Sequence, residues 1–157
     1  MSDILLPALF TDNEQRTICR ALRLLEKYLK HPGEQFTATC TAKDWVRLQL
    51  AHQEREVFMV LYLDSQYRLL DSEILFKGSI NSTEVHPREV VKAVLHRNAA
   101  AVIFAHNHPS GETMPSESDK RITQRLQTAL TLMDVRVLDH LIIGGDTVFS
   151  FAEHGLL

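Results

Sequence analysis

Apolar residues near the start of the chain recur at the spacing of amphipathic helices. Over residues 14–30, one apolar stripe lies opposite a charged face, and the stripe consists of Ile18, Ala21, Leu22, Leu25 and Leu29. Residues 31–34, His-Pro-Gly-Glu, interrupt this helix. The capping pattern Thr41-x-x-Asp44 then predicts a second helix that runs toward Gln53. We expect both helices to pack against a core.

Continuous apolar runs and short turns replace the helical pattern from residue 57 onward. The run at residues 57–63 predicts a buried strand, because it is rich in β-branched and aromatic residues. A turn at residues 64–67 leads into a second run over residues 69–76, which predicts an antiparallel hairpin. A long loop over residues 78–86 then precedes Pro87, which suits the first position of a helix. The apolar face of that helix consists of Val90, Val91, Val94 and Leu95.

Strand and helix patterns alternate through the last third of the chain. Residues 100–105 form an Ala-rich apolar run that predicts a strand. A helical pattern follows, with apolar positions at Ile122, Leu126, Ala129, Leu130 and Met133. Residues 135–143 and 148–151, separated by the turn Gly144-Gly145-Asp146, predict a closing hairpin.

Composition indicates a compact intracellular domain. The 157 residues fall within the usual range of one domain, and 45% of them are hydrophobic, which gives no sign of disorder. A formal charge of −3 argues against nucleic-acid binding driven by overall charge. The chain begins Met-Ser-Asp without a basic leader, and no apolar run approaches the roughly 20 residues that span a bilayer. We therefore expect a cytoplasmic protein without a membrane segment.

Two histidines and an aspartate form the main candidate for chemistry. His106 and His108 directly follow the apolar run at residues 100–105, and alternate side chains of an extended backbone project to the same side. Pro115 and Ser116 predict a helix start, with Ser116 as the N-cap and Asp119 in the first turn. Three protein ligands leave a fourth position open, as catalytic zinc requires. The spacing therefore predicts a hydrolytic zinc centre.

Other metal and thiol chemistries are disfavoured by the sequence. The adjacent letters His-Asn-His do not indicate a nuclease, because nucleases named for them spread the three residues along a ββα unit. The chain contains neither His-Glu-x-x-His nor Pro-Cys-x-x-Cys, which excludes the zincin and deaminase patterns. Cys19 and Cys40 are isolated from each other, so we expect free thiols.

The spacing of the candidate ligands resembles a known signature. His106-x-His108, seven residues, Ser116, two residues and Asp119 are similar to the JAMM signature of JAB/MPN metalloproteases. The stretch from Gly78 to Leu157 resembles the RadC-like branch of that family. The segments that carry this resemblance are Glu84-Val-His-Pro-Arg-Glu89, His106-Asn-His-Pro-Ser-Gly111, Asp139-His140 and Ser150-Phe-Ala-Glu-His-Gly155.

The resemblance implies both an architecture and a division of the chain. It covers roughly residues 36–157, which would form the JAB/MPN metal-binding domain, and residues 1–35 would form an N-terminal helical segment. It implies an α/β fold, a three-layer α/β/α sandwich with a mixed sheet, similar to cytidine deaminase. It also implies a zinc-dependent peptidase that cleaves peptide or isopeptide bonds through a zinc-activated water.

The resemblance further implies a glutamate that moves protons at the start of the first strand. Glu56 immediately precedes the buried run at residues 57–63 and is our first choice over Glu54. Glu84 and Glu89 are weaker candidates. For Ser116, the resemblance implies help in binding the oxyanion, a role that is compatible with its role as a helix cap.

Two further polar residues, Asn107 and His140, have expected supporting roles. Asn107 stands where many peptidases of the wider family carry Ser or Thr, and strand alternation predicts that its side chain points away from the metal. His140 follows Asp139 at the head of an apolar strand. His140 either orients a metal ligand or satisfies buried backbone groups, and we favour the second role.

The expected partner is a peptide or protein substrate, and two other functions stay open. The first is an interaction module without catalysis. The second is an accessory factor in DNA repair or mobile-element biology, which predicts salt-sensitive DNA binding. Full-length relatives carry a helix-hairpin-helix module before this domain, and the roughly 35 residues here are too few for it. The charge and the missing module both disfavour a nucleic-acid partner.

Overall fold

The computed structural model describes residues 10–29, 40–78 and 84–157. Its elements in chain order are α1 (Asp12–Leu29), α2 (Cys40–Leu50), β1 (Val57–Leu63), β2 (Leu69–Lys77), α3 (Pro87–His96), β3 (Ala101–Asn107), α4 (Glu117–Thr131), β4 (Arg136–Gly144) and β5 (Thr147–Ser150). The break predicted at residues 31–34 and most of the long loop predicted at residues 78–86 lie outside the described residues. None of the helices within the described ranges is long and apolar enough to cross a bilayer.

Within the described ranges, the five strands form one mixed sheet with the order β2-β1-β3-β4-β5. β3 runs parallel to β4, and each other neighbouring pair is antiparallel. β1 and β3 are buried at every position, because helices cover both faces of the sheet. Both predicted hairpins are confirmed.

Alternate strand residues supply two cores, one on each face of the sheet. On one face, Met59 and Ile103 pack with Leu22 of α1 and Trp45 of α2. On the other face, the core includes Val60 and Phe104 of the sheet, Val90 and Val94 of α3, and Leu126 and Leu130 of α4. Successive residues of a strand point to opposite faces of the sheet, so each apolar run contributes alternate side chains to the two cores. The predicted three-layer α/β/α arrangement with a mixed sheet is confirmed.

The starts of the two N-terminal helices differ from the prediction. α1 begins at Asp12, two residues before the predicted start. Thr41 is the second residue of α2, so its predicted role as the cap is wrong. Asp44, the other half of the predicted capping box, pairs with Arg47 one turn later, with 3.2 Å between Oδ1 and Nη2. The Asp44 carboxylate, which the predicted capping box required at the helix start, therefore forms a salt bridge within the helix instead.

Asp139 ties the end of the chain to β4. Its Oδ1 accepts hydrogen bonds from the backbone N–H groups of His140 at 2.7 Å and Ala152 at 2.9 Å. Its Oδ2 accepts from the Ser150 hydroxyl at 2.6 Å. Asp139 is buried, so these three donors replace its hydration. The same contacts hold Phe151, whose ring stacks on His140 with 4.7 Å between centroids.

We expect Asp139→Asn to lower the free energy of unfolding by about 1–3 kcal/mol, because the amide turns a donor toward groups that already donate. Urea unfolding followed by circular dichroism measures the change. Asp146→Asn, in the exposed β4–β5 turn, is the matched control and should stay within about 0.5 kcal/mol of wild type. Equal stability of the two variants would contradict the anchoring role of Asp139.

Candidate metal centre

The end of β3 presents two imidazoles to the same side of the sheet. His106 lies within β3 and is 2% exposed, whereas His108 directly follows the strand and is half-buried. The His108 N–H donates to the Ile143 carbonyl at 2.8 Å, which continues the β3–β4 pairing past the last strand residue. The chain then turns, with Gly111 N–H donating to the His108 carbonyl at 2.9 Å. Gly111 has a φ of 83°, as the predicted turn requires.

Asp119 reaches the histidines from the first turn of α4. Ser116 is the N-cap of this helix, and the Asp119 N–H donates to its Oγ at 3.1 Å. Asp119 Oδ2 accepts in return from both the N–H and the hydroxyl of Ser116, each at 2.7 Å. This reciprocal capping box confirms the predicted helix start. It also fixes the carboxylate that faces the histidines.

The donor atoms of His106, His108 and Asp119 form a group that could hold a metal ion, since all three lie within 4.8 Å of one another. His106 Nε2 lies 3.4 Å from Asp119 Oδ1, and His108 Nε2 lies 3.5 Å from Asp119 Oδ2. The two Nε2 atoms are 2.9 Å apart. Two ligands of a tetrahedral zinc ion, each about 2.0–2.1 Å from it, would be about 3.3 Å apart. The spacing of the three donor atoms is therefore close to that of the ligands around a zinc-sized ion, and nitrogen and carboxylate oxygen are donor types that zinc accepts.

Asp119 and His108 each stabilise the charged form of the other. Burial opposes ionisation of Asp119, but the contacts with the imidazoles of His106 and His108 outweigh it and hold the pKa of this carboxyl well below its usual range. The contact with the Asp119 carboxylate raises the pKa of His108, and the charge of Glu56 adds to this effect. The carboxylate is therefore ionised at neutral pH, as a metal ligand must be.

His140 of β4 lies directly behind His106. Its Nε2 is 2.8 Å from His106 Nδ1, and its Nδ1 is 2.6 Å from the Thr123 hydroxyl oxygen of α4. His140 is fully buried, and this burial lowers its pKa well below the ordinary value. The favoured role for His140, satisfaction of backbone groups, is wrong, because its side chain instead contacts the candidate ligand His106. The sequence pattern does not single out Thr123, although this residue follows Asp119 by one helical turn.

Asn107, between the two histidines, points to the opposite face of the sheet. Its Oδ1 accepts from the Val57 N–H at 2.9 Å. Its amide group donates to the carbonyls of Gln53 at 3.2 Å and Arg55 at 3.0 Å. The predicted supporting role is confirmed, and the supported segment is the one that carries Glu56.

Glu56 and the three candidate ligands line one cavity of about 570 Å³. Phe58 pairs with His106 in the antiparallel β1–β3 register. Glu56 precedes Phe58 by two residues and His108 follows His106 by two, so Glu56 lies opposite His108 on the same face. Glu84 also lines this cavity, whereas Glu54 is not among its lining residues. Glu89 instead lies near Arg88 and Lys92, at 3.7 and 3.8 Å. Of the four glutamates considered, Glu56 and Glu84 therefore reach the cavity.

The side chains around the candidate metal site give the cavity a mixed character. Ser116 is on its wall, together with Arg121, Ile122 and Arg125 of α4. Val85 and Phe58 supply apolar surface elsewhere on the wall. The pattern of α4 predicted its core positions but not that its two arginines would face the same cavity as Asp119.

Gly144, at the end of β4, allows the loop after His108 to approach the sheet closely. A Cβ atom at this position would lie 2.4 Å from the Gly111 carbonyl oxygen and 2.7 Å from Thr113 Cγ2. Both distances are too short for real contacts, so the loop would have to move. The absence of a side chain at Gly144 therefore sets the position of the segment between His108 and Asp119.

These features define a class: an α/β/α domain with two histidines at the end of a central strand and an aspartate at the start of the next helix. The chain belongs to the family of RadC-like JAB domains, and the family model matches residues 36–156.

Close relatives extend over almost the whole chain. The UPF0758 protein YkfG of Escherichia coli (strain K12) is 60% identical over 152 residues, covering 97% of this chain and 96% of the relative. The UPF0758 protein YfjY of the same organism is 62% identical over 143 residues, covering 91% and 89%. The UPF0758 protein PSHAa2643 of Pseudoalteromonas translucida (strain TAC 125) is 55% identical, and the match covers 87% of this chain and 62% of that longer protein.

We expect Gly144→Ala to weaken metal binding at the candidate site and to lower the free energy of unfolding by about 1–3 kcal/mol, because the new methyl group displaces the loop after His108. Competition with a chromophoric chelator measures the affinity. Gly145→Ala is the control, since its φ of 57° is strained for alanine but nothing lies within 4 Å of the added Cβ. Wild-type metal affinity in Gly144→Ala would show that the loop position does not matter for the site.

Proposed function

We propose that the protein is a zinc-dependent hydrolase that cleaves peptide or isopeptide bonds. The observation that carries this proposal is the meeting of two histidines, one aspartate and Glu56 at a single cavity. The JAB family to which the chain belongs includes metalloproteases. The spacing of the three candidate ligands in the sequence and their meeting with Glu56 at one cavity both support the proposal.

The donor set favours zinc as the metal. Two imidazole nitrogens and one carboxylate are ligands that zinc accepts in catalytic sites, and three protein ligands leave one position open. The cavity extends from the ligands to solvent-exposed residues such as Glu84 and Ser110, so a substrate can approach that open side. A bound zinc ion would supply a Lewis acid that lowers the pKa of a coordinated water to about 7.

Glu56 is the proposed proton carrier. Its carboxylate accepts a proton from the attacking water and delivers it to the leaving amine. Asn107 supports this role from the other face of the sheet, because its hydrogen bonds to Val57, Gln53 and Arg55 fix the backbone on both sides of Glu56. A carboxylate that must exchange protons at a defined point benefits from such a fixed backbone.

Ser116 is the proposed donor to the oxyanion that forms when water attacks the carbonyl. Its hydroxyl donates to Asp119 Oδ2 at 2.7 Å, and its backbone N–H donates to the same oxygen at the same distance. The hydroxyl can therefore rotate toward a substrate oxygen while the N–H continues to hold Asp119. This arrangement reconciles the capping and catalytic roles of one side chain.

The substrate is proposed to be a peptide or a protein in the cytoplasm. A cavity of about 570 Å³ accommodates a few residues of an extended chain. Its wall combines the apolar Phe58, Val85 and Ile122 with the charged Arg121 and Arg125. Such a mixture suits side chains of a polypeptide next to the bond that is cut.

We expect near one zinc ion per chain in the untagged wild-type protein and almost none in His108→Ala, because the variant loses one of three protein ligands. Elemental mass spectrometry after removal of excess zinc measures the content. His154→Ala is the control, since His154 stacks on Phe149 and is neither a member of the candidate ligand group nor a residue lining the cavity. A wild-type protein that retains no zinc would overturn the proposed function.

We expect Glu56→Gln to keep its zinc and to lose about 10²–10⁴-fold in kcat, because the amide cannot accept the proton. Fluorogenic peptide mixtures and lysine-linked isopeptides serve as substrates, and active mixtures are then resolved by mass spectrometry. Glu54→Gln is the control, because Glu54 is exposed and is not among the cavity-lining residues. If Glu56→Gln cleaves as fast as wild type, the proton carrier is another group. If zinc-loaded wild type cleaves nothing, the protein is a metal-bearing module without hydrolysis.

A further inference from the structure

A continuous chain of hydrogen bonds leads from the backbone of α4 to the metal-facing side of His106. Thr123 Oγ lies 2.6 Å from the Asp119 carbonyl oxygen, and the same Oγ lies 2.6 Å from His140 Nδ1. His140 Nε2 then lies 2.8 Å from His106 Nδ1. Thr123, His140 and His106 are all buried, so water does not compete for these contacts.

The direction of each hydrogen bond follows from the first acceptor. A backbone carbonyl can only accept, so the Thr123 hydroxyl donates its single proton to Asp119. The Thr123 oxygen must therefore accept from His140, which places a proton on His140 Nδ1. His140 is surrounded by the rings of Phe58, Phe104 and Phe151, and a second ring proton would bury a charge among them.

His140 is consequently neutral, with its lone pair on Nε2. That nitrogen accepts from His106, so the His106 ring proton resides on Nδ1. A neutral His106 ring then carries its lone pair on Nε2, which faces His108 and Asp119. A neutral His108 ring also carries its lone pair on Nε2, because its Nδ1 donates directly to the Glu112 carbonyl at 2.7 Å.

We propose that Thr123 and His140 are positioning residues that hold His106 in the tautomer able to bind a metal through Nε2. This inference rests on the metal site of the proposed function. Asp119 takes part at both ends, because its carboxylate faces the metal position and its backbone carbonyl begins the chain that prepares His106. A single helical turn, from Asp119 to Thr123, thus aligns two of the three ligands.

The tautomers can be observed directly in the full chain. Long-range ¹H–¹⁵N spectra of the histidine rings, recorded with zinc and after its removal by a chelator, distinguish a proton on Nδ1 from one on Nε2. The proposal requires His140 to be protonated on Nδ1 alone in both states, and His106 to be protonated on Nδ1 alone when zinc is bound. A proton on His140 Nε2 in either state overturns it, and this readout needs neither a substrate nor a variant.

Zinc affinity of α4 variants tests whether the chain of hydrogen bonds matters for the metal. Thr123→Val keeps the side-chain shape and removes the acceptor for His140, so we expect zinc affinity to fall about 10–100-fold. Thr123→Ser restores the hydroxyl and should recover the affinity. Thr128→Val is the matched control, because its hydroxyl makes the same contact one turn back, to Gln124 at 2.9 Å, and it should stay within about twofold of wild type.

The outcomes separate this inference from the proposed function. Equal affinities for Thr123→Val and Thr123→Ser overturn the positioning role even if the protein is an active hydrolase. Wild type that binds zinc with the required tautomers but cleaves no peptide keeps the positioning role and overturns the hydrolase. A wild-type chain that binds no zinc overturns both.

Discussion

The site depends above all on the pairing of β3 between β1 and β4. The β1 side of β3 sets Phe58 against His106 and so brings Glu56 toward His108. The β4 side aligns Phe104 with His140, whose ring then lies beside His106. Because backbone hydrogen bonds fix both registers, a slip of one residue would turn His106 to the opposite face. The pairing of the strands therefore fixes where His106, His108 and Glu56 lie relative to one another.

Sequence patterns predicted the parts of the site that are local. His106 and His108 are two residues apart on a strand, and Ser116 and Asp119 form a capping box within one helical turn, so short-range geometry determines each pair. The family resemblance added Glu56, which no spacing rule connects to His106. Only the antiparallel register of β1 and β3 explains why Glu56 arrives at the cavity.

The parts that the sequence did not predict depend on contacts between distant elements. Nothing within β4 shows that the His140 ring would meet His106, because 34 residues separate them and the contact requires the parallel β3–β4 pairing. Thr123 looks like an ordinary helix residue, since its hydroxyl bonds one turn back just as those of Thr128 and Thr131 do. The cap predicted at Thr41 failed for a related reason: the local pattern did not exclude the competing pair of Asp44 with Arg47.

The location of buried polar groups argues that this end of the sheet is shaped for function. In the described parts of the chain, the buried polar residues are His106, Asn107, Thr123, Asp139, His140 and Ser150. Burying such groups costs free energy unless each finds a partner, and apolar side chains would fill the same space without that cost. Each has a hydrogen-bond partner. Asp139 and Ser150 tie the end of the chain to β4, yet the other four lie on β3, α4 and β4 beside the candidate ligands. A core optimised for stability alone has no reason to gather its polar side chains in one place, whereas a site that must orient imidazoles and a proton carrier requires it.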